Sequence, residues 1–190
     1  QSAFDRAQQA GYDLGLVISQ LNKIAPQRPI HIIAHSLGVR VAIAALELLA
    51  FDSVDRIIAI AGAEFYCAVM NALEKPAGKS AEFINIASRE NNLFDFLLQK
   101  LILPDHAGDI AMGRKIPKQE NFTSLWIDNP KVLDALRHAG FPIAPPRQRI
   151  CHWSGYIRPG IFEFYAACLC RSPKIPTDRI KTIASALDQS

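Results

Sequence analysis

The chain has no run of lysine and arginine and no basic helix face, although 21 Lys+Arg against 18 Asp+Glu give it a net charge of +3. A nucleic acid would therefore find no cationic footprint to follow. No apolar stretch of about 18 residues, the length that crosses a bilayer, is free of charged residues. The sequence also lacks internal repeats and low-complexity tracts. Its four cysteines, Cys67, Cys151, Cys168 and Cys170, contain no Cys-x-x-Cys pair. The close pairs that hold zinc are thus missing. Reduced, mostly buried thiols fit this pattern, and they favour a reducing compartment, with the cytoplasm the expected location. Asp105, His106 and Asp109 match no specific metal-ligand spacing. No metal or cofactor is expected.

What is present is a globular chain of 190 residues, 49% apolar and 21% charged, enough to bury a sizeable core in one domain. Ala7, Ala10, Leu14, Val17, Leu21 and Ile24 recur at spacings of three and four, which predicts a helix over 2–24 with one apolar stripe. Pro26 and Pro29 end it. Residues 30–34, 56–61, 82–87 and 122–127 are short and β-branched or aromatic, and read as strands. Between them, 39–49, 65–73 and 92–101 read as helices, followed by 130–138 and 162–169. Residues 149–153 read as a last strand or turn. Strands alternating with helices predict an α/β fold, a mostly parallel sheet with helices on both faces. Residues 104–120 break the rhythm and read as a long loop of the kind that covers a site.

Ala34-His35-Ser36-Leu37-Gly38 lies between the first strand and a helix apolar on most faces. It matches the nucleophile elbow Gly-x-Ser-x-Gly with alanine in the first glycine position. A serine on so sharp a turn needs small neighbours. Its hydroxyl then stands above the sheet at a helix N-terminus, where the Leu37 N–H can meet a developing oxyanion. A serine that merely caps a helix would not explain small residues two positions away on both sides.

On these residues the chain resembles the α/β-hydrolase superfamily, in particular lipases and esterases with an Ala-His-Ser-Leu-Gly elbow. The resemblance implies Ser36 as nucleophile and a base late in the chain. Of five histidines, His152, in Cys151-His152-Trp153-Ser154-Gly155-Tyr156, lies where the family places it. Trp153 and Tyr156 are positioned to wall a partly dry pocket. His35 flanks the nucleophile and His31 lies within a strand. The family's acid follows the strand two after the elbow strand, with an aliphatic residue three further on. Glu90 with Leu93 fits that offset. Asp95 fits less well, being already within a helix, and Glu64 is the candidate if the acid sits one strand earlier. Asn91 would hold a histidine tautomer but could not stabilise an imidazolium by charge. The strands that normally precede the elbow strand, with the loop supplying a second oxyanion N–H, are missing. The expectation is that the chain is the C-terminal part of a longer hydrolase, and that its sheet carries an unpaired edge.

The function expected is that of a serine hydrolase acting on a small-molecule acyl substrate, a carboxylic ester or relative, through Ser36, His152 and Glu90. The rival is a non-catalytic hydrolase-like module used for binding.

Overall fold

The computed structural model describes residues 2–115, 119–170 and 175–188. Residues 116–118 of the expected 104–120 loop lie outside the described residues. Four strands, β1 (His31–His35), β2 (Arg56–Ile60), β3 (Glu82–Ala87) and β4 (Phe122–Trp126), form one sheet in the order β1-β2-β3-β4. Every pairing is parallel. The helices are α1 (Ala3–Ile24), α2 (Leu37–Leu46), α3 (Tyr66–Leu73), α4 (Pro76–Ser80), α5 (Asn92–Leu101), α6 (Pro130–His138), α7 (Ser154–Ile157), α8 (Ile161–Leu169) and α9 (Thr177–Ser185).

Alternate residues of each buried strand supply two cores. Ile57, Ala59 and Phe83 pack with α1 to α4 on one face. Ile58, Ile60, Ile84 and Ile86 pack with α6, α8 and α9 on the other. This two-sided burial is why β2 is a continuous apolar run after Arg56. Register then brings the carboxyl ends together: His35 is level with Ile60, and Ile60 with Ile86. The segments that follow β1, β2 and β3 therefore emerge side by side at one edge of the sheet. In open parallel sheets this is where ligands sit. β1 pairs only with β2, so among the described residues its outer edge is unpaired.

The apolar stripe of α1 only partly faces inward: Ala7 is buried and Leu14 packs against the core. Leu16 is 62% and Ile24 79% exposed, and Val17 and Leu21 also face outward. The buried residues are Ala7, Gly11, Gly15 and Ile18. The cause is close helix packing. A Cβ on Gly11 would fall 2.5 Å from the Ala44 Cβ and 2.6 Å from the Val41 carbonyl oxygen of α2. Small residues let the two helices touch, and that contact outranks a broader apolar stripe. Ser2 starts α1 with a capping box, its Oγ accepting from the Asp5 N–H at 3.1 Å. Gly11→Val is accordingly expected to lower the unfolding free energy by about 1–3 kcal/mol, as overpacking does. Gly38 is different: a Cβ there meets only the Ala34 Cβ at 3.9 Å, an ordinary contact. Gly38→Ala should leave stability within about 0.5 kcal/mol of the parent. Denaturant titration of both variants checks the contrast.

Residues 149–153 form no strand. They lead through a turn into α7. In the long segment, residues 109–114 are tied down. The Asp109 carboxylate accepts from the Cys67 N–H at the start of α3, Ala111 bridges to Phe65, and Met112 is buried.

Candidate active site

Ser36 stands between β1 and α2 with φ 53° and ψ −122°. A non-glycine residue at positive φ is strained, and such strain needs the surroundings to hold it. Here the Ser36 N–H donates to the Ile60 carbonyl at 2.9 Å, and the Ser36 carbonyl accepts from Val39 N–H and Ala63 N–H, both at 3.0 Å. The sheet, the helix and the turn after β2 thus clamp the elbow from three sides. The serine hydroxyl makes no hydrogen bond that caps α2. Among the described residues the Leu37 N–H, first of its helix, has no protein acceptor. A free hydroxyl and a free N–H therefore share the helix N-terminus.

His152 approaches from the turn before α7. Its backbone carbonyl lies 3.1 Å from His35 Nε2. A carbonyl only accepts, so His35 carries its proton on Nε2. The two imidazoles lie 4.6 Å apart, with Phe94 against His152 at 4.5 Å. Trp153 and Tyr156 pack on His35, each at 4.8 Å, and Trp153 also meets the His152 ring edge-on at 5.7 Å. Partial burial, assisted by neighbouring His35, holds the His152 pKa below its ordinary value. Burial therefore favours the neutral ring. No hydrogen bond joins Ser36 to His152 among the described residues, and such bonds are often loose before substrate binds.

None of the three carboxylates nominated from sequence hydrogen-bonds the His152 ring. Its Nδ1 instead lies 2.7 Å from Asn91 Oδ1. Residues 89–91 form a 3-10 turn after β3, and adjacent positions in it face different ways. Glu90 turns toward the helices on the α8 face. Its Oε2 accepts from Ser88 Oγ at 3.0 Å, and from Ser154 Oγ and the Arg158 guanidinium. Asn91 turns toward His152. Asp95 sits one helical turn beyond and accepts from Asn91 Nδ2 at 2.8 Å. Glu64 is elsewhere, gripped by both Arg40 Nη1 contacts at 2.9 and 3.1 Å. The signal that reveals Asn91 is its i,i+4 relation to Asp95, which puts an amide and a carboxylate on one face of the chain.

In comparisons with family models, curated proteins and solved structures, nothing matches this chain. The site's chemistry thus rests on its geometry. Asn91 Oδ1 only accepts, so the His152 proton is on Nδ1 and the Nε2 lone pair is free. That is the tautomer a general base needs. The described residues hold no cluster of three His, Cys, Asp or Glu placed to bind a metal. No helix among them is long and apolar enough to cross a membrane. A cavity of about 270 Å³ lies beside Glu90, Cys151, Ser154 and Arg158, and neither Ser36 nor His152 lines it.

Proposed function

We propose that this protein is a serine hydrolase of the α/β-hydrolase type, cleaving a carboxylic ester or related acyl compound. The observation that carries the reading is the strained Ser36 elbow, which presents an unbonded hydroxyl beside the free Leu37 N–H. Ser36 Oγ attacks the acyl carbon while His152 Nε2 takes the hydroxyl proton. The Leu37 N–H donates to the oxyanion that forms. His152 returns the proton to the leaving alcohol, leaving an acyl-serine. Water, deprotonated by the same nitrogen, then releases the acid and restores Ser36.

One observation favours a second reading, a hydrolase-like module that binds without turnover: the group on His152 Nδ1 is a neutral amide rather than a carboxylate. A fluorophosphonate probe separates the two. The hydrolase is expected to be labelled covalently at Ser36, and Ser36→Ala to lose the label. Alanine keeps the Cβ, so the backbone strain is unchanged and only the hydroxyl is removed. Intact-mass spectra with no adduct on the parent protein would favour the binding module.

A further inference from the structure

We propose that Asp95 is a positioning residue of this site, acting on His152 through the side-chain amide of Asn91. The inference rests on the hydrolase reading. It is carried by a chain of two hydrogen bonds, Asp95 Oδ1 to Asn91 Nδ2 at 2.8 Å and Asn91 Oδ1 to His152 Nδ1 at 2.7 Å.

Each link removes one ambiguity. An amide alone could present either its oxygen or its nitrogen to His152. An ionised carboxylate only accepts, so Asp95 holds the Asn91 NH₂ toward itself and its oxygen toward the ring. That oxygen keeps the His152 proton on Nδ1 and the basic lone pair on Nε2. The negative charge also sits one amide away from an imidazolium that forms only during reaction. Position 95 suits this task. It is buried in the first turn of α5, where the helix dipole favours an anion. Gly113 backs onto its second oxygen: a Cβ there would lie 2.9 Å from Oδ2. The charged and titratable groups that face the carboxylate are Arg114, from the same turn as Gly113, and His152 beyond Asn91.

Burial pushes the Asp95 pKa up to about 6, against the opposing pull of Asn91 and Arg114. The carboxyl is thus ionised above that pH and protonated below it. Once protonated it can donate to Asn91 Oδ1, releasing the amide to turn over. The acid limb of kcat/KM should therefore depend on two groups, His152 and Asp95, and be steeper than a single ionisation. A carboxyl whose pKa is raised by folding destabilises the folded state once it ionises. Asp95→Asn should then lose activity without losing stability at pH 8.

The test compares the parent, Asp95→Asn and the exchange Asn91→Asp/Asp95→Asn, using p-nitrophenyl ester hydrolysis and NMR titration of the His152 ring. Asp95→Asn is expected to lower kcat roughly 10- to 100-fold, the range seen when the hydrogen-bond partner of a metal-ligating histidine is lost, with KM little changed. Its acid limb should fall to unit slope, its His152 pKa should drop, and its Tm at pH 8 should be no lower. The exchange puts a carboxylate on His152 with an amide behind it, and is expected to recover most of kcat. Parental kcat and limb shape in Asp95→Asn would overturn the proposal. So would a loss of kcat matched by a loss of Tm and not recovered by the exchange. If the parent neither hydrolyses esters nor takes the probe, the hydrolase reading fails by itself. The His152 titration then decides: a lowered pKa in Asp95→Asn upholds the coupling, and an unchanged one removes it.

Discussion

Ser36→Ala and His152→Ala are each expected to lower kcat for an activated ester by up to about a million-fold, and the double variant to lower it no further. The reason is that hydroxyl and imidazole act as one unit. Without the base, the Ser36 hydroxyl is a weak nucleophile at pH 7; without the hydroxyl, the base has no proton to take. Residual hydrolysis would come from substrate positioning and the Leu37 N–H, which none of these variants removes. His152→Gln is the control for packing, since it keeps some bulk against Phe94 and His35, whose rings lie 4.5 and 4.6 Å from the imidazole. The parent's pH profile adds a sign. Burial lowers the His152 pKa, so the base stays neutral to lower pH than a free imidazole, and activity should persist there until Asp95 takes up its proton. Steady-state kinetics of the four variants check the claim. Losses that multiply in the double variant would show that the two side chains act independently, and would sink the mechanism.

The sequence carried much of the framework. The bounds of β3, α5 and α6 follow directly from the residues, because β-branched runs and a Pro130 start leave few alternatives. The elbow was equally legible, since a strand, a short Ala-His-Ser-Leu-Gly stretch and a buried helix are all local features. What was not legible depends on contacts between distant elements. The inward face of α1 is set by Gly11 meeting Ala44 and Val41, which no periodicity of large apolar residues reveals. α9 (Thr177–Ser185), absent from the sequence reading, is a helix whose short apolar face of Ile180 and Ile183 is used only because β4 and α6 lie beneath it. Which side chain meets the His152 ring turned on a single step of a 3-10 turn. Glu90 and Asn91 are adjacent, yet one faces Arg158 and the other His152. A carboxylate is the stronger chemical expectation, but the partner waiting for it was Arg158, in a part of the chain remote in sequence.

Glu90→Gln is therefore expected to be a stability variant, lowering the unfolding free energy by about 3–5 kcal/mol. The Glu90 and Arg158 side chains are only 7% and 4% exposed. Glu90 Oε2 gathers Ser88 Oγ, Ser154 Oγ and the Arg158 guanidinium, while Arg158 also donates to Ser154 Oγ at 2.9 Å and to the Ile127 carbonyl. Glutamine keeps the shape but removes the charge, leaving a buried guanidinium uncompensated. That is the costly half of breaking an interior ion pair. For a domain of this size the change corresponds to a fall in Tm on the order of 10 °C. The same residue also steadies the base, since its backbone carbonyl accepts from the Cys151 N–H at 3.0 Å. That bond survives the substitution, so kcat/KM of the folded fraction at low temperature should stay within about tenfold of the parent, far from the roughly 10⁴-fold loss seen when an acid touching the base is neutralised. Arg158→Met added to Glu90→Gln should recover part of the lost stability, because a buried pair replaced whole by apolar groups is often neutral or better. Thermal melts and kinetics on the same samples separate the roles. An unchanged Tm with a thousandfold loss of kcat would return the acid's role to Glu90, whereas a large fall in Tm with the chemistry preserved leaves His152 to the Asn91 amide and the Asp95 behind it.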